Sequence, residues 1–194
     1  MTTQTDQQLL DEFLRGDERS FNELVHRYQG KVYWVARRMV IDHDEADDIV
    51  QEVFIKLYQS VKEFRGESSL YTWLYRVTVN ASLNALRRKK VREYLSFGEA
   101  RVQFESDIPR PDELYERTEQ SAELEKAIAS LPEKQRAVFV LRYYEEKSYE
   151  EISKLLKTSI GGLKANYFHA VKKIGKAIRA KDFKKIRTEG KSLP

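Results

Sequence analysis

Apolar residues keep helical spacing from Phe21 to about Lys90 with one short break at Arg65 to Ser69, lose all period between Glu93 and Arg117, and regain it beyond Thr118. The break also holds Gly98, Ser106, Pro109 and Pro111. It is longer than an ordinary connection inside a domain. The pattern predicts an all-α chain of two small helical domains, 1–92 and 118–180, joined by a flexible linker over 93–117 and followed by a basic tail, 181–194. With 4 Pro and 8 Gly in 194 residues there is little material for many tight turns, which argues against a sandwich or barrel. Domains this small bury a modest share of their surface and gain from a partner.

Local signals divide each half into helices. Asp6 is placed to cap a short helix ending near Leu14. Ser20-Phe21-Asn22-Glu23 reads as a capping box opening a longer helix, with Phe21, Leu24, Val25, Tyr28, Val32, Val35, Ala36 and Met39 on its inner stripe. Asp44 opens the next, whose stripe is Ile49, Val50, Val53, Phe54, Leu57, Tyr58, Val61 and Phe64. Arg65 to Ser69 is a polar loop, and Leu70 starts a helix running to about Lys90. In the second half a helix spans about Thr118 to Ala129, and Pro132 suits the first position of another. Ser148-Tyr149-Glu150-Glu151 is a further capping box, opening a short helix with Ile152, Leu155 and Leu156. Lys157-Thr158 make a tight connection, and Thr158 or Ser159 caps a last helix to about Arg179.

Net charge is only +4, but it is segregated. Asp44, Glu45, Asp47 and Asp48 crowd one helix start, where the helix dipole favours acids. Arg87, Arg88, Lys89, Lys90 and Arg92 form a basic run, and from Lys164 to Lys181 there are bases and no acid. Two kinds of partner fit this pattern, a basic protein surface and a polyanion. There is no Cys, and His26, His43 and His169 share no ligand spacing, so no metal site is expected. No nucleotide-binding loop is seen, no cofactor is expected, and the abundant carboxylates lie on solvated helix faces, so no enzyme is predicted. The polar N-terminus lacks the regions of a signal peptide, and no apolar run reaches the ~20 residues of a membrane span, so a cytoplasmic protein is expected.

A short helix, a tight turn and a longer basic helix make a helix-turn-helix. In the last helix Leu163, Tyr167, Val171, Ile174 and Ile178 are expected to face inward, leaving Lys164, Asn166, His169, Lys172, Lys173 and Lys176 outside. Lys164 suits guanine and Asn166 adenine, while Lys172, Lys173 and Lys176 suit phosphates. In the helix from Leu70, the residues Leu70, Leu74, Val77 and Ala81 form the inner face, and Arg76, Asn80, Asn84 and Arg88 fall four apart on another. That row of donors fits a nucleic-acid strand. Tyr71, Trp73 and Tyr75 cluster at the helix start; Trp73 suits the core, while for Tyr71 and Tyr75 core packing and base stacking both stand open.

The run Asp47-Asp48-Ile49-Val50-Gln51-Glu52-Val53-Phe54, then Phe64-Arg65-Gly66, Thr72-Trp73-Leu74-Tyr75-Arg76-Val77, Asn80, Leu86-Arg87-Arg88 and Leu131-Pro132-Glu133-Lys134-Gln135-Arg136, resembles the extracytoplasmic-function sigma factors of bacterial RNA polymerase. The resemblance covers about residues 6–92 and 118–180. It implies that Asp48, Gln51, Glu52 and Phe54 dock on the clamp helices of core polymerase. It implies that Gly66, Glu67, Ser68, Ser69 and Leu70, with Tyr71, Tyr75, Arg76, Asn80, Asn84, Arg87 and Arg88, meet the minus-ten element. Ser159, Gly162, Lys164, Ala165, Asn166, Phe168, His169, Lys172 and Lys173 fall where the family reads the minus-thirty-five element. The family further implies contact with the polymerase flap and a cognate anti-sigma protein, often membrane-bound. The turn between the last two helices holds Lys157 where the family often has Gly, and a left-handed backbone there is costly for Lys. Residues 148–179 alone also suit a free-standing duplex-binding regulator, but such a repressor needs neither the acidic helix nor the 70–92 row.

Overall fold

The computed structural model describes residues 4–61, 69–95 and 119–189. Side chains are described within 4–61, 69–92 and 122–179. Among the described residues every regular element is helical: α1 (Asp6–Leu14), α2 (Glu18–Val40), α3 (His43–Ser60), α4 (Leu70–Leu95), α5 (Glu119–Ala129), α6 (Glu133–Phe139), a π-helix (Val140–Tyr144), α7 (Tyr149–Leu156) and α8 (Ile160–Glu189). None of these helices is long and apolar enough to cross a membrane. The interval 93–117, read as linker, lies outside the described residues except for the last turn of α4.

Helices α1 to α4 form the first module. Leu24, Tyr28, Val32 and Ala36 of α2 meet Ile49, Val53 and Leu57 of α3 and Leu74, Ala81 and Ala85 of α4 in one core. Asp6 pins α1 across this core. It accepts from Arg27 Nη1 at 2.7 Å and from the Tyr28 hydroxyl at 2.5 Å. Burial and this carboxylate together push the Tyr28 hydroxyl well above its ordinary pKa.

Four helix starts differ from the sequence reading. Thr5, one residue before Asp6, forms the capping box of α1 with Gln8. α2 begins at Glu18 under Asp17, and Ser20 is buried, donating to Glu12 at 2.7 Å and Asp17 at 3.2 Å. Gly16, at φ 101, lets the chain reverse early enough for Asp17 to take the cap. α3 likewise starts earlier, capped by Asp42 rather than Asp44. Pro132 is the N-cap of α6 and not its first residue.

Helices α5 to α8 form the second module, with Ile128, Leu131, Phe139, Ala170 and Ile174 in one cluster. Val138, Leu141, Ile152, Leu155 and Leu163 belong to another that also takes in Val35, Met39, Tyr75 and Val79 of the first module. The two modules therefore share apolar core.

Candidate nucleic-acid interface

The row on α4 is open to solvent. Arg76, Asn80, Asn84 and Arg88 are all exposed, while Leu70, Leu74, Ala81 and Ala85 face the core. Thr78 and Ser82 are fully buried, and their hydroxyls donate back to the carbonyls of Leu74 at 2.7 Å and Thr78 at 2.8 Å. These back-bonds let two polar side chains sit inside without other partners. Arg87 is exposed as well. It donates to Asn84 Oδ1 at 3.4 Å and lies 3.7 Å from Glu133 of the second module.

The start of α4 departs from expectation. Gly66, Glu67 and Ser68 lie outside the described residues. Ser69 is exposed and caps the helix, accepting from the Thr72 N–H at 3.2 Å. Leu70, assigned above to the DNA-facing set, is 3% exposed and packs in the core. Apolar burial won over a loop-edge role because Leu70 begins the inner stripe. Trp73 is half-buried against that core. Tyr71 is half-buried and Tyr75 is 3% exposed, covered by the second module.

Beside this row, α3 and α4 form a groove of about 600 Å³. Glu45, Asp48 and Glu52 line one wall and Arg87, Arg88 and Arg92 the other. Gln51 and Asp48 are exposed, and Glu52 receives Lys56 Nζ at 2.5 Å. Phe54, assigned to the same docking surface, is 8% exposed and belongs to the core. Its place on the inner stripe decides this; it holds the acidic face from behind.

In the second module Ser148 and Glu151 form the predicted capping box, with the Glu151 N–H to Ser148 Oγ at 3.2 Å and the Ser148 N–H to Glu151 Oε2 at 2.7 Å. The Ser148 N–H holds the Glu151 carboxyl below its ordinary range. Lys157 ends α7 in the left-handed conformation, φ 50 and ψ 45. Exposed Ser159 caps α8, accepting from the Gly162 N–H at 3.3 Å. A Cβ on Gly162 would meet Ser159 Oγ at 3.3 Å, so a larger residue there would make the capping hydroxyl shift by a few tenths of an ångström. Lys164, Ala165, Phe168, His169, Lys172 and Lys173 are exposed along α8. Asn166 is half-buried, and its amide donates to the Gly162 carbonyl at 2.9 Å, which competes with an adenine contact. Val171 and Ile178 were expected inside but are exposed, because Ala170 and Ile174 take the inner face.

Several charged residues that sequence reasoning passed over meet between the modules. Glu145, in the turn after the π-helix, accepts from Arg38 Nη1 at 3.0 Å and from the Tyr75 hydroxyl. Burial, and next the Glu145 bond, push the Tyr75 hydroxyl far above its ordinary pKa. Lys147 Nζ lies 4.4 Å from the Tyr71 ring centroid. These partners are 107 and 70 positions apart in the chain, beyond the reach of any local pattern.

Two family models match separate stretches of the chain. The sigma-70 region 2 family model matches residues 24–92, and the sigma-70 region 4 model matches residues 121–174. The RNA polymerase sigma-H factor of Pseudomonas aeruginosa is 37% identical over 186 residues, covering 92% of this chain and 96% of that protein. The ECF RNA polymerase sigma-E factor of Escherichia coli K12 is 38% identical over 173 residues, covering 86% of this chain and 90% of that protein. Among solved structures, the sigma factor RpoE in complex with the anti-sigma factor NepR, from Bartonella quintana, has a similar fold. It aligns with a TM-score of 0.66 at 21% identity, over 83% of this chain and 98% of that one.

Proposed function

The chain belongs to the extracytoplasmic-function sigma factors, and from that premise we propose how its surfaces divide the work of transcription initiation. As a sigma factor it binds core RNA polymerase, recognises the minus-ten and minus-thirty-five elements of promoters and promotes DNA opening. Opening draws on binding energy, so no catalytic residue is assigned.

The observation that carries the assignment is the exposed row Arg76, Asn80, Asn84 and Arg88 inside the stretch matching region 2. Donors at this spacing serve the backbone and bases of the minus-ten strand, with Arg87 beside them. Asp48, Gln51 and Glu52 on α3 form the polymerase-docking face, whose acidity suits a basic clamp. Region 1–92 carries both roles. Region 118–180 reads the minus-thirty-five element through Lys164, Ala165, Phe168 and His169, while Lys172 and Lys173 hold phosphates. The protein works in the cytoplasm with the polymerase. An anti-sigma protein holds it idle, as the complex of the similar sigma factor with NepR suggests.

Reconstitution tests the reading. Added to core polymerase, the purified chain is expected to direct initiation at promoters recovered by sequencing of run-off transcripts, and to bind duplex promoter DNA poorly alone. Strong binding alone with no directed transcription overturns it in favour of a free-standing regulator.

A further inference from the structure

Tyr75 is buried although its neighbours on α4, Arg76 and Asn80, face solvent. What covers it is the turn Glu145 to Lys147 of the second module. The Glu145 carboxylate is gripped by two groups of the first module, Arg38 Nη1 at 3.0 Å and the Tyr75 hydroxyl. Lys147 Nζ sits over both aromatic rings, 4.4 Å from the Tyr71 centroid and 5.3 Å from that of Tyr75. The two rings lie 4.4 Å apart, and Lys31 reaches Tyr71 at 5.5 Å. The turn itself is held in shape: Arg142 Nη1 donates to the Lys147 carbonyl at 3.0 Å, and the Lys147 N–H donates to Leu141 at 3.0 Å. Glu146 between them takes φ 50, a conformation uncommon outside glycine.

A nucleic-acid strand crossing paired aromatics brings bases to the rings and phosphates to nearby cations. The turn answers the same groups from within the chain, with an ammonium on the rings and a carboxylate on the guanidinium. We propose that the 145–147 turn is an intramolecular plug, holding the second module closed over Tyr71 and Tyr75 and withdrawing before a promoter strand reaches them. The proposal rests on the reading above, that the start of α4 meets the minus-ten strand. Val35, Met39 and Val79 packed against Val138, Leu141 and Ile152 give the closed state an apolar seam beneath the plug. While the closed state dominates, apparent affinity for a strand falls by the open fraction.

The chain has no Cys, so Gln59→Cys and Lys154→Cys, at exposed positions of the two modules, accept a donor and acceptor dye on the full chain. High energy transfer is expected without the latch changes. Glu145→Gln lowers transfer and raises binding of a randomised single-stranded DNA pool about tenfold or more, the factor for one charge-assisted hydrogen bond. Arg38→Glu gives a second route to the same result, and pairing it with Glu145→Arg restores high transfer. Helix content by circular dichroism separates opening from unfolding. Unchanged transfer in both single variants overturns the plug, and so does reduced transfer without a gain in strand binding. Unlabelled protein with core polymerase keeps the two readings apart. Directed transcription with unchanged transfer sinks only the plug, and absent transcription with falling transfer sinks only the sigma assignment.

Discussion

Arg136 of α6 donates to the main-chain carbonyl of Met39, 97 positions earlier, at 2.7 Å. Met39 lies in the last turn of α2, where carbonyls have no partner inside the helix. The same guanidinium reaches Ala129, and Leu131 at 3.4 Å, at the end of α5. One buried cation thus serves two helix C-termini, the sign the helix dipole favours. Burial lowers the Arg136 pKa, but a guanidinium stays charged. Helix capping in the first module is completed by the second.

Arg136→Leu is expected to destabilise the chain by about 2–4 kcal/mol, because buried carbonyls lose a charged donor. The modules should also uncouple. Calorimetry then shows one unfolding transition becoming two, with the second module melting first. Arg136→Lys recovers only part of the loss, since an ammonium cannot reproduce the planar fork. One transition at an unchanged midpoint contradicts this account.

The two caps of α7 yield opposite signs at its two ends. Lys157→Gly relieves a left-handed residue at an exposed position and is expected to stabilise by about 0.5–1 kcal/mol in urea unfolding. Ser148→Ala removes half of a capping box and costs about 1 kcal/mol. Glu151 titrates below its ordinary range, so its contribution is present above that range and fades as pH falls through the lowered value. A Glu151→Gln chain should lose less stability than wild type between pH about 5 and about 3.

Period and caps made most of the fold legible. The Ser148 box, the Ser159 cap and the α4 row needed only local sequence. Ser20 misled because a capping pattern is short, and Asp17 beside Gly16 competed for the same start. Leu70 and Phe54 were drawn into functional sets although each lies on an apolar stripe, and burial took both. On α8 the apolar stripe was read through Val171 and Ile178, but small Ala170 permits the close approach. Arg38 and Glu145 gave no signal, since an ion pair across the fold leaves no periodicity, and Arg136 stood in a recognised run whose pattern says nothing of its distant carbonyl partner.

Tyrosine ionisation reports on the seam. Tyr28, Tyr75 and Tyr144 are raised chiefly by burial, so they are expected to ionise after the exposed tyrosines as pH climbs. A raised tyrosine stabilises the fold below its ordinary pKa of about 10 and stops doing so as pH rises through the folded value. Phenolate absorbance in a Tyr75→Phe chain should lose one late-titrating group. Loss of an early one places Tyr75 at the surface instead.

The two faces around α4 should separate in assay. Asn80→Ala is expected to impair promoter opening, read by permanganate reactivity of unpaired thymines, while leaving polymerase affinity within about twofold, a change of less than 1 kcal/mol. Asp48→Lys on the groove wall should do the reverse, weakening the polymerase complex first. Equal losses in both assays for Asn80→Ala show that its face is misassigned.

On α8, position along the helix decides what a lysine reads. Lys164 stands in the first turns, where a recognition helix meets base edges, whereas Lys172 lies two turns on, exposed beside Lys173. A phosphate contact releases counterions whatever the sequence. Lys172→Ala should therefore weaken the polymerase–promoter complex about equally on all promoters and make its salt dependence shallower by about one unit of slope. Lys164→Ala should instead shift base preference in the minus-thirty-five element, with about 1–3 kcal/mol of discrimination at stake. Competition binding against a randomised minus-thirty-five library at two salt concentrations measures both effects together. A changed base profile for Lys172→Ala with an unaltered slope places its ammonium on a base edge, and the division between reading and holding along α8 fails.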